Sequence, residues 1–331
     1  MPKLSCIFLT PYYKGIISWD NMHDFITFEE KDFPAHIHKL KQLYLDLFAG
    51  GKGFRSRLVA MVSIPLNLPQ EKTVCLQKVV EYIHNSSLLH DDLIDGSPLR
   101  RGKTAAWKAY GADHAVLAGD FLLAKVISLL CENTNLDLVA YTSEVIMDLV
   151  EGEWIQDDIK GSTRINSEEL EKVHNLKTAS LKKWCLRAPF YALERKDKEL
   201  HQCLEKIGTL MGVLFQRADD LIDYNIRNDE NKNILGDHHA GYLNSFALFL
   251  LNEVSDSKKQ EFLNLQTLKD IQSFVGEDTW QNKIKDFDAL NTKLIEDYHL
   301  ELNQLSQFLL ENERGLITDL LPLAHLLYWR K

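Results

Sequence analysis

The chain has 331 residues, 45% of them hydrophobic, with only 16 glycines, 8 prolines and a net charge of −10. So large an apolar share with so little punctuation excludes a disordered chain and predicts long regular elements around a sizeable core. The acidic balance argues against nucleic acid or an anionic membrane surface as the main partner.

In chain order, residues 1–30 read as an N-terminal extension. Its apolar run Cys6-Ile7-Phe8-Leu9, led by Lys3 and stopped by Pro11, is too short and too weakly charged for a signal peptide. Beyond it, apolar residues recur at spacings of three and four, and almost nowhere at two. The pattern predicts helices over 33–48, 54–66, 71–95, 113–131, 137–154, 167–186, 198–224, 241–253, 278–310 and 316–329. In 71–95 the stripe Val74, Val79, Val80, Ile83, Leu88 and Leu89 persists for about seven turns. Asp113 and Ser167 stand at expected N-cap positions; Leu170, three residues after Ser167, leaves only half a capping box there. The most apolar stretch, 116–131, is interrupted by Asp120 and Lys125, which predicts a buried helix rather than a membrane span. No segment carries the alternation or the hairpin turn of a sheet. The five cysteines (Cys6, Cys75, Cys131, Cys185, Cys203) are scattered and never spaced C-x-x-C, so they read as core filler in a reducing, cytoplasmic setting. The expected fold class is all-α, one domain over 1–331 with ten or more mostly antiparallel helices.

One acidic pentapeptide occurs twice, as Asp91-Asp92-Leu93-Ile94-Asp95 and as Asp219-Asp220-Leu221-Ile222-Asp223. On a helix the first and fifth positions lie about 40° apart, so Asp91 projects with Asp95, and Asp219 with Asp223. Both copies fall at predicted helix C-termini, where the dipole disfavours negative charge by roughly 0.3–1 kcal/mol per group. A single copy would read as a solvated helix end. Two copies in matching contexts point to compensation by cations, and hard carboxylate oxygens suit Mg²⁺.

The surrounding blocks resemble the trans-prenyl diphosphate synthase (polyprenyl synthetase) family, whose signature is a pair of D-D-x-x-D motifs on facing helices. Leu89-His90 leads into the first motif; Leu99-Arg100-Arg101-Gly102 and Ala118-Gly119-Asp120-Phe121-Leu122 follow it. Lys177-Thr178-Ala179 and Phe215-Gln216-Arg217-Ala218 come next, in family order. The resemblance covers about residues 45–225; residues 226–331 match by helical character alone. It implies an isoprenoid synthase type of bundle around a deep central cavity, working as a homodimer without a membrane span.

By the same resemblance, Asp91, Asp95 and Asp219, supported by Asp92, Asp220 and Asp223, hold about two or three Mg²⁺ ions on an allylic diphosphate. Arg100, Lys177, Thr178 and Gln216 contact that diphosphate. Lys52, Arg55, His84 and Arg101 hold isopentenyl diphosphate, with Gly50-Gly51 letting the backbone approach. Three departures stand out: Gly53 replaces an arginine, Ser56 replaces a proline, and the G-K-x-T block after the second motif is absent. Gly236-Asp237-His238-His239-Ala240-Gly241 takes its place, with His238 or His239 as a partial substitute and Lys232 as a further candidate.

The implied reaction joins isopentenyl diphosphate to an allylic cation. A class I terpene cyclase would share the fold and the first motif but not the second one found here. A non-catalytic subunit of a heteromeric synthase would fit the missing lysine block but tends to lose motif aspartates. Ser86 and Ser87, five and four residues before Asp91, lie about 6–8 Å deeper along the helix. In the resembling family small residues there let the product grow. The serines, with Gly208 and Gly212 on the facing stripe, can also be helix-packing spacers. As small walls of a groove, with Tyr82 or Ile83 as floor, they lead one to expect products of about four isoprene units or longer.

Overall fold

The computed structural model describes residues 28–48, 53–228, 234–252 and 254–330. The readings placed on Lys3, on the run 6–9, on Lys52 and on Lys232 lie outside those residues.

Helices dominate, as the spacing of apolar residues predicts. In chain order they are α1 (His38–Phe48), α2 (Phe54–Ser63), α3 (Gln70–Ile94), α4 (Ala106–Tyr110), α5 (Ala112–Asn133) and α6 (Leu136–Asp158). Then come α7 (Ser167–Val173), a π-helical turn (His174–Ala179), α8 (Ser180–Ala192) and α9 (Lys198–Asp223). The C-terminal part holds α10 (Gly236–His239), α11 (Ser245–Leu250), α12 (Asp256–Leu263), α13 (Leu268–Val275), α14 (Glu277–Leu305), α15 (Gly315–Leu320) and α16 (Leu323–Trp329). α3 packs along α5, while α9 runs through the centre against α8, the π-helical turn, α14 and α16.

Local chemistry sets the ends. Asn135 caps α6 by accepting from the Leu138 amide at 3.0 Å, and Asp197 caps α9 through the Leu200 amide at 2.8 Å. The start of α7 differs from expectation by one residue. Asn166, not Ser167, is the cap, and Glu169 then falls at the right place to close a complete capping box. α5 likewise begins at Ala112, with Asp113 inside its first turn instead of capping it.

Two small elements escaped the periodicity. Leu99–Arg100 (β1) and Lys103–Thr104 (β2) pair antiparallel across Arg101-Gly102, a turn whose two residues both have positive φ (52° and 75°) as a type I′ hairpin requires. Two-residue strands are too short to show alternation. The stretch 256–275 contains α12 and α13, whose few apolar positions drew no prediction.

Close helix packing explains the glycines of α9. A Cβ at Gly212 would stand 2.5 Å from the Ala179 Cα, and one at Gly208 would stand 2.7 Å from the Lys183 Cα. These glycines let α9 touch the π-helical turn and α8 backbone to backbone, so of the two readings they act as packing spacers and not as the wall of a groove. Tyr82 is likewise no cavity floor. It lies on the side of α3 away from Asp91, its hydroxyl donating to Asp32 at 2.8 Å and its ring beside Phe33 and Phe48. There Lys78 bridges Glu29 and Asp32 at 2.7 and 2.8 Å and ties residues 28–33 onto α3.

α5 is long and apolar enough, by composition, to cross a membrane. One side of it packs on α3 with Ala118, Leu122 and Val126 buried, while Val116 and Leu117 remain exposed.

Candidate active site

Both acidic pentapeptides sit at helix C-termini. Asp91 and Asp92 close α3 with Asp95 as its C-cap, and Asp219, Asp220 and Asp223 close α9. Both ends open on one cavity of about 450 Å³, with Asp95, Lys177, Thr178, Gln216, Asp220 and Asp237 on its wall. The helix-end dipoles and the carboxylates add negative potential on the same side.

The six motif carboxylates have different neighbours. Asp92 turns back to Arg100, whose Nε donates to both its oxygens at 2.9 and 3.1 Å. Asp220 accepts from Gln216 Nε2 at 3.0 Å and from the Ser245 amide at 2.9 Å, so it also anchors the start of α11. The Oδ1 atom of Asp223 accepts from the Gly236 amide at 2.6 Å, while its Oδ2 is buried without a partner. Asp219 accepts from Arg330 at 3.0 Å. Asp91 and Asp95 lie beside Glu153 and Lys177, which form an ion pair with each other.

Burial raises several of these acids. Burial, and then Glu153 and Asp95 against the pull of Lys177, lifts Asp91 to about 7. Burial and Glu153 also raise Asp95, with Lys177, Lys160 and Arg100 opposing. Asp220 is pushed up to about 6 chiefly by burial, and Asp237 to about 8 by burial, Asp223 and Asp220. On the cavity wall three carboxyl groups, Asp95, Asp220 and Asp237, face two lysines, Lys160 and Lys177. An all-oxygen donor set with an orphaned carboxylate oxygen fits a hard divalent cation. Among the described residues no three acidic, histidine or cysteine side chains are placed to hold a metal ion by themselves.

The predicted basic residues fall into two groups. Lys177 and Thr178 lie in the π-helical turn, a local irregularity that often marks functional positions. Thr178 donates to Gln216 at 2.9 Å, which links two of the expected contacts across α9. Arg100, expected beside them, instead clasps Asp92 and lines, with Arg101, a second cavity of about 380 Å³ walled by Leu43, Leu47, Leu88 and Tyr110. Arg55, His84 and Arg101 are near enough for their charges to act on one another: burial, then Arg55 and Arg101, hold His84 well below the usual histidine range. Arg55 Nε is buried without a hydrogen-bond partner. Ser86 and Ser87 separate. Ser86 is buried and donates to the Gly119 carbonyl of α5 at 3.0 Å, whereas Ser87 is half-buried and donates to its own helix at His84.

His238 and His239 do not substitute for the missing lysine. Their Nε2 atoms meet the carbonyls of Leu265 and Gln266, at 2.8 and 3.2 Å, and neither ring lines the cavity. Sequence reading missed Glu153, Asp237, Lys160 and Arg330. Glu153 was legible only as an acid one residue beyond Gly152, where a Cβ would stand 2.7 Å from Lys177. Arg330 comes from the far end of the chain, where nothing in the pattern signals a site.

Comparisons with known proteins agree with this geometry. A family model described as polyprenyl synthetase matches residues 37–275, a wider span than the sequence blocks mark. The chain is 31% identical over 226 residues to the all trans-polyprenyl-diphosphate synthase PDSS1 of Homo sapiens, covering 65% of this chain and 53% of that protein. It is 30% identical over 209 residues to the octaprenyl diphosphate synthase of Escherichia coli, covering 62% and 64%. The aligned part thus spans roughly half to two thirds of these relatives' length. A decaprenyl diphosphate synthase from Rhodobacter capsulatus superposes with a TM-score of 0.79 at 22% identity, covering 91% of this chain and 93% of that one. A Caulobacter crescentus polyprenyl synthase complexed with calcium and isoprenyl diphosphate gives 0.74 at 25%, covering 91% and 92%. These superpositions establish the isoprenoid synthase fold.

Proposed function

The chain belongs to the polyprenyl synthetase family, and from that membership we propose that it condenses isopentenyl diphosphate with an allylic diphosphate to give a longer trans-polyprenyl diphosphate. The observation that carries the proposal is the pair of acidic helix ends opening on one cavity beside Lys177, Thr178 and Gln216. Relatives named as polyprenyl and octaprenyl diphosphate synthases support the same substrate class.

In this reading Asp91, Asp95 and Asp219 hold Mg²⁺ against the allylic diphosphate, with Asp92, Asp220 and Asp223 fixing the helix ends around them. Mg²⁺ bound there would supply Lewis-acid stabilisation of the diphosphate leaving group. Lys177 donates to the diphosphate oxygens as the carbon–oxygen bond breaks, and Thr178 orients Gln216 beside it. Arg55, His84 and Arg101, with Lys52, hold isopentenyl diphosphate so that its double bond attacks the allylic carbon, and the proton then lost in forming the new double bond passes to the released diphosphate. The buried α3, α8 and α9 walls exclude water that would quench the cation. Ser87, half-buried on the face of α3 that carries Asp91, is the small residue that lets the product reach about four isoprene units or more. A second copy of the chain covers the exposed row Met147, Val150 and Trp154 of α6.

The test is incubation of the purified chain with labelled isopentenyl diphosphate, Mg²⁺ and allylic primers of several lengths, with the extracted alcohols sized afterwards. Condensation that chelation or Asp219→Ala abolishes is expected, and Ser87→Phe should shorten the product without stopping it. Near-full turnover by Asp219→Ala, or no condensation with any primer, would sink the reading.

A further inference from the structure

The main cavity has two lysines on its wall, Lys177 and Lys160. Lys177 is already engaged by Glu153. Arg100 is engaged by Asp92, and Arg330 by Asp219. Lys160 differs. It follows the C-cap of α6, is exposed, and among the described residues forms no ion pair. Its ammonium lies over the ring of Tyr242, 5.6 Å from the centroid.

The two loops that carry this contact are joined. The Gly161 amide donates to the Gly241 carbonyl at 2.9 Å, so the end of α6 and the turn after α10 form one continuous rim. Gly241 has a φ of 85°, a left-handed backbone conformation that favours glycine at this junction. Tyr242 presents an aromatic face to the rim but no charge. His238 and His239 of the same segment turn away from the cavity, onto the Leu265 and Gln266 carbonyls. A lysine held by a ring keeps its hydrogen-bond donors unsatisfied by any carboxylate, and a diphosphate is a stronger partner for them.

Taking the diphosphate chemistry of the proposed function as given, we propose that Lys160 is a substrate-binding residue of this cavity, docked on Tyr242 and donating to the diphosphate of the allylic substrate. The charge reaches the site from the end of α6, across the rim from the segment 236–241 in which the resemblance led one to look for it.

The experiment compares wild type with Lys160→Ala, Lys160→Arg and the double variant Lys160→Ala/Tyr242→Lys. Steady-state kinetics for each substrate are paired with calorimetric binding of inorganic pyrophosphate in Mg²⁺. Lys160→Ala should raise KM for the allylic primer or lower kcat by about ten- to a hundredfold, with KM for isopentenyl diphosphate unchanged. Its pyrophosphate affinity should fall in parallel. Lys160→Arg should retain most of both, and Tyr242→Lys should restore part of the loss by placing a cation on the same rim. Wild-type kinetics and wild-type pyrophosphate affinity in Lys160→Ala would overturn the proposal. So would a loss that neither Lys160→Arg nor the double variant repairs, since that marks a structural role. Were the wild type to make no prenyl product, the functional reading would fall while the pyrophosphate measurement still decided the role of Lys160.

Discussion

Asp237 shows how a single residue responds to this site. Its carboxyl contacts Asn244 Nδ2 at 3.2 Å and lies close to Asp223 and Asp220, which with burial push it up to about 8. A carboxyl whose folded value exceeds its unfolded one, near 4, binds its proton more tightly when folded. Its stabilising contribution is thus complete at low pH and is lost as pH rises toward 8. Asp237→Asn keeps an acceptor for Asn244 and removes the titration. In chelator, the melting temperature of the variant should exceed that of wild type by a margin that widens between pH 6 and 8 and levels off above. Calorimetric scans across that range decide it; a constant margin would show that Asp237 does not carry the strain. The neighbouring serines teach a different lesson. Ser86 and Ser87 look equivalent in sequence, but helix geometry turns Ser86 to the Gly119 carbonyl and leaves Ser87 on the side of Asp91.

At the scale of elements, the contact between α9 and the π-helical turn decides where Lys177 and Thr178 stand. Gly212 sets that contact, because the Ala179 backbone occupies the space a side chain would need. Gly212→Ala must push the turn outward or bend α9. Overpacking of this kind costs about 1–3 kcal/mol, and here it should also displace Lys177. The expected outcome is a lower midpoint in denaturant together with a fall in kcat that exceeds the loss of folded protein at assay temperature. Equal stability and turnover would mean that the two elements slide freely. Asn166 is a useful contrast: its capping box lies at the far end of α7, and replacing it by alanine should cost about 1 kcal/mol of stability with little effect on the site.

At the scale of the whole molecule, α6 carries more exposed large apolar residues than any other helix among the described residues. Met147, Val150 and Trp154 project within about 60° of one another on that helix, and Trp154 is 71% exposed. Such a row is costly to leave in water and is the surface on which a second copy is proposed to pack. Val150→Glu with Trp154→Glu should convert a dimer to a monomer in sedimentation velocity while the helical content stays constant. A monomeric wild type, or a dimer that survives both changes, would remove this surface from consideration. Because α6 also carries Glu153 and leads through its C-cap Ile159 into Lys160, dissociation is expected to lower activity as well.

What the sequence determined by itself is what periodicity and exact repetition encode. Apolar residues at three and four fixed the long helices, and the duplicated pentapeptide fixed α3 and α9 as the helices that carry the acids. These are local signals, set by one turn of helix and readable without knowing what packs on what. The tertiary structure decided everything that depends on approach between distant segments. Glycines 208 and 212 became contact points instead of an open wall, and Tyr82 turned away from the cavity onto Asp32, fully buried. The histidines of 236–241 faced the Leu265 and Gln266 carbonyls, while Arg330 arrived beside Asp219 from the other end of the chain. A residue's period tells which side of its own helix it occupies. Only the packing of neighbouring helices tells whether that side meets solvent, another backbone or the cavity.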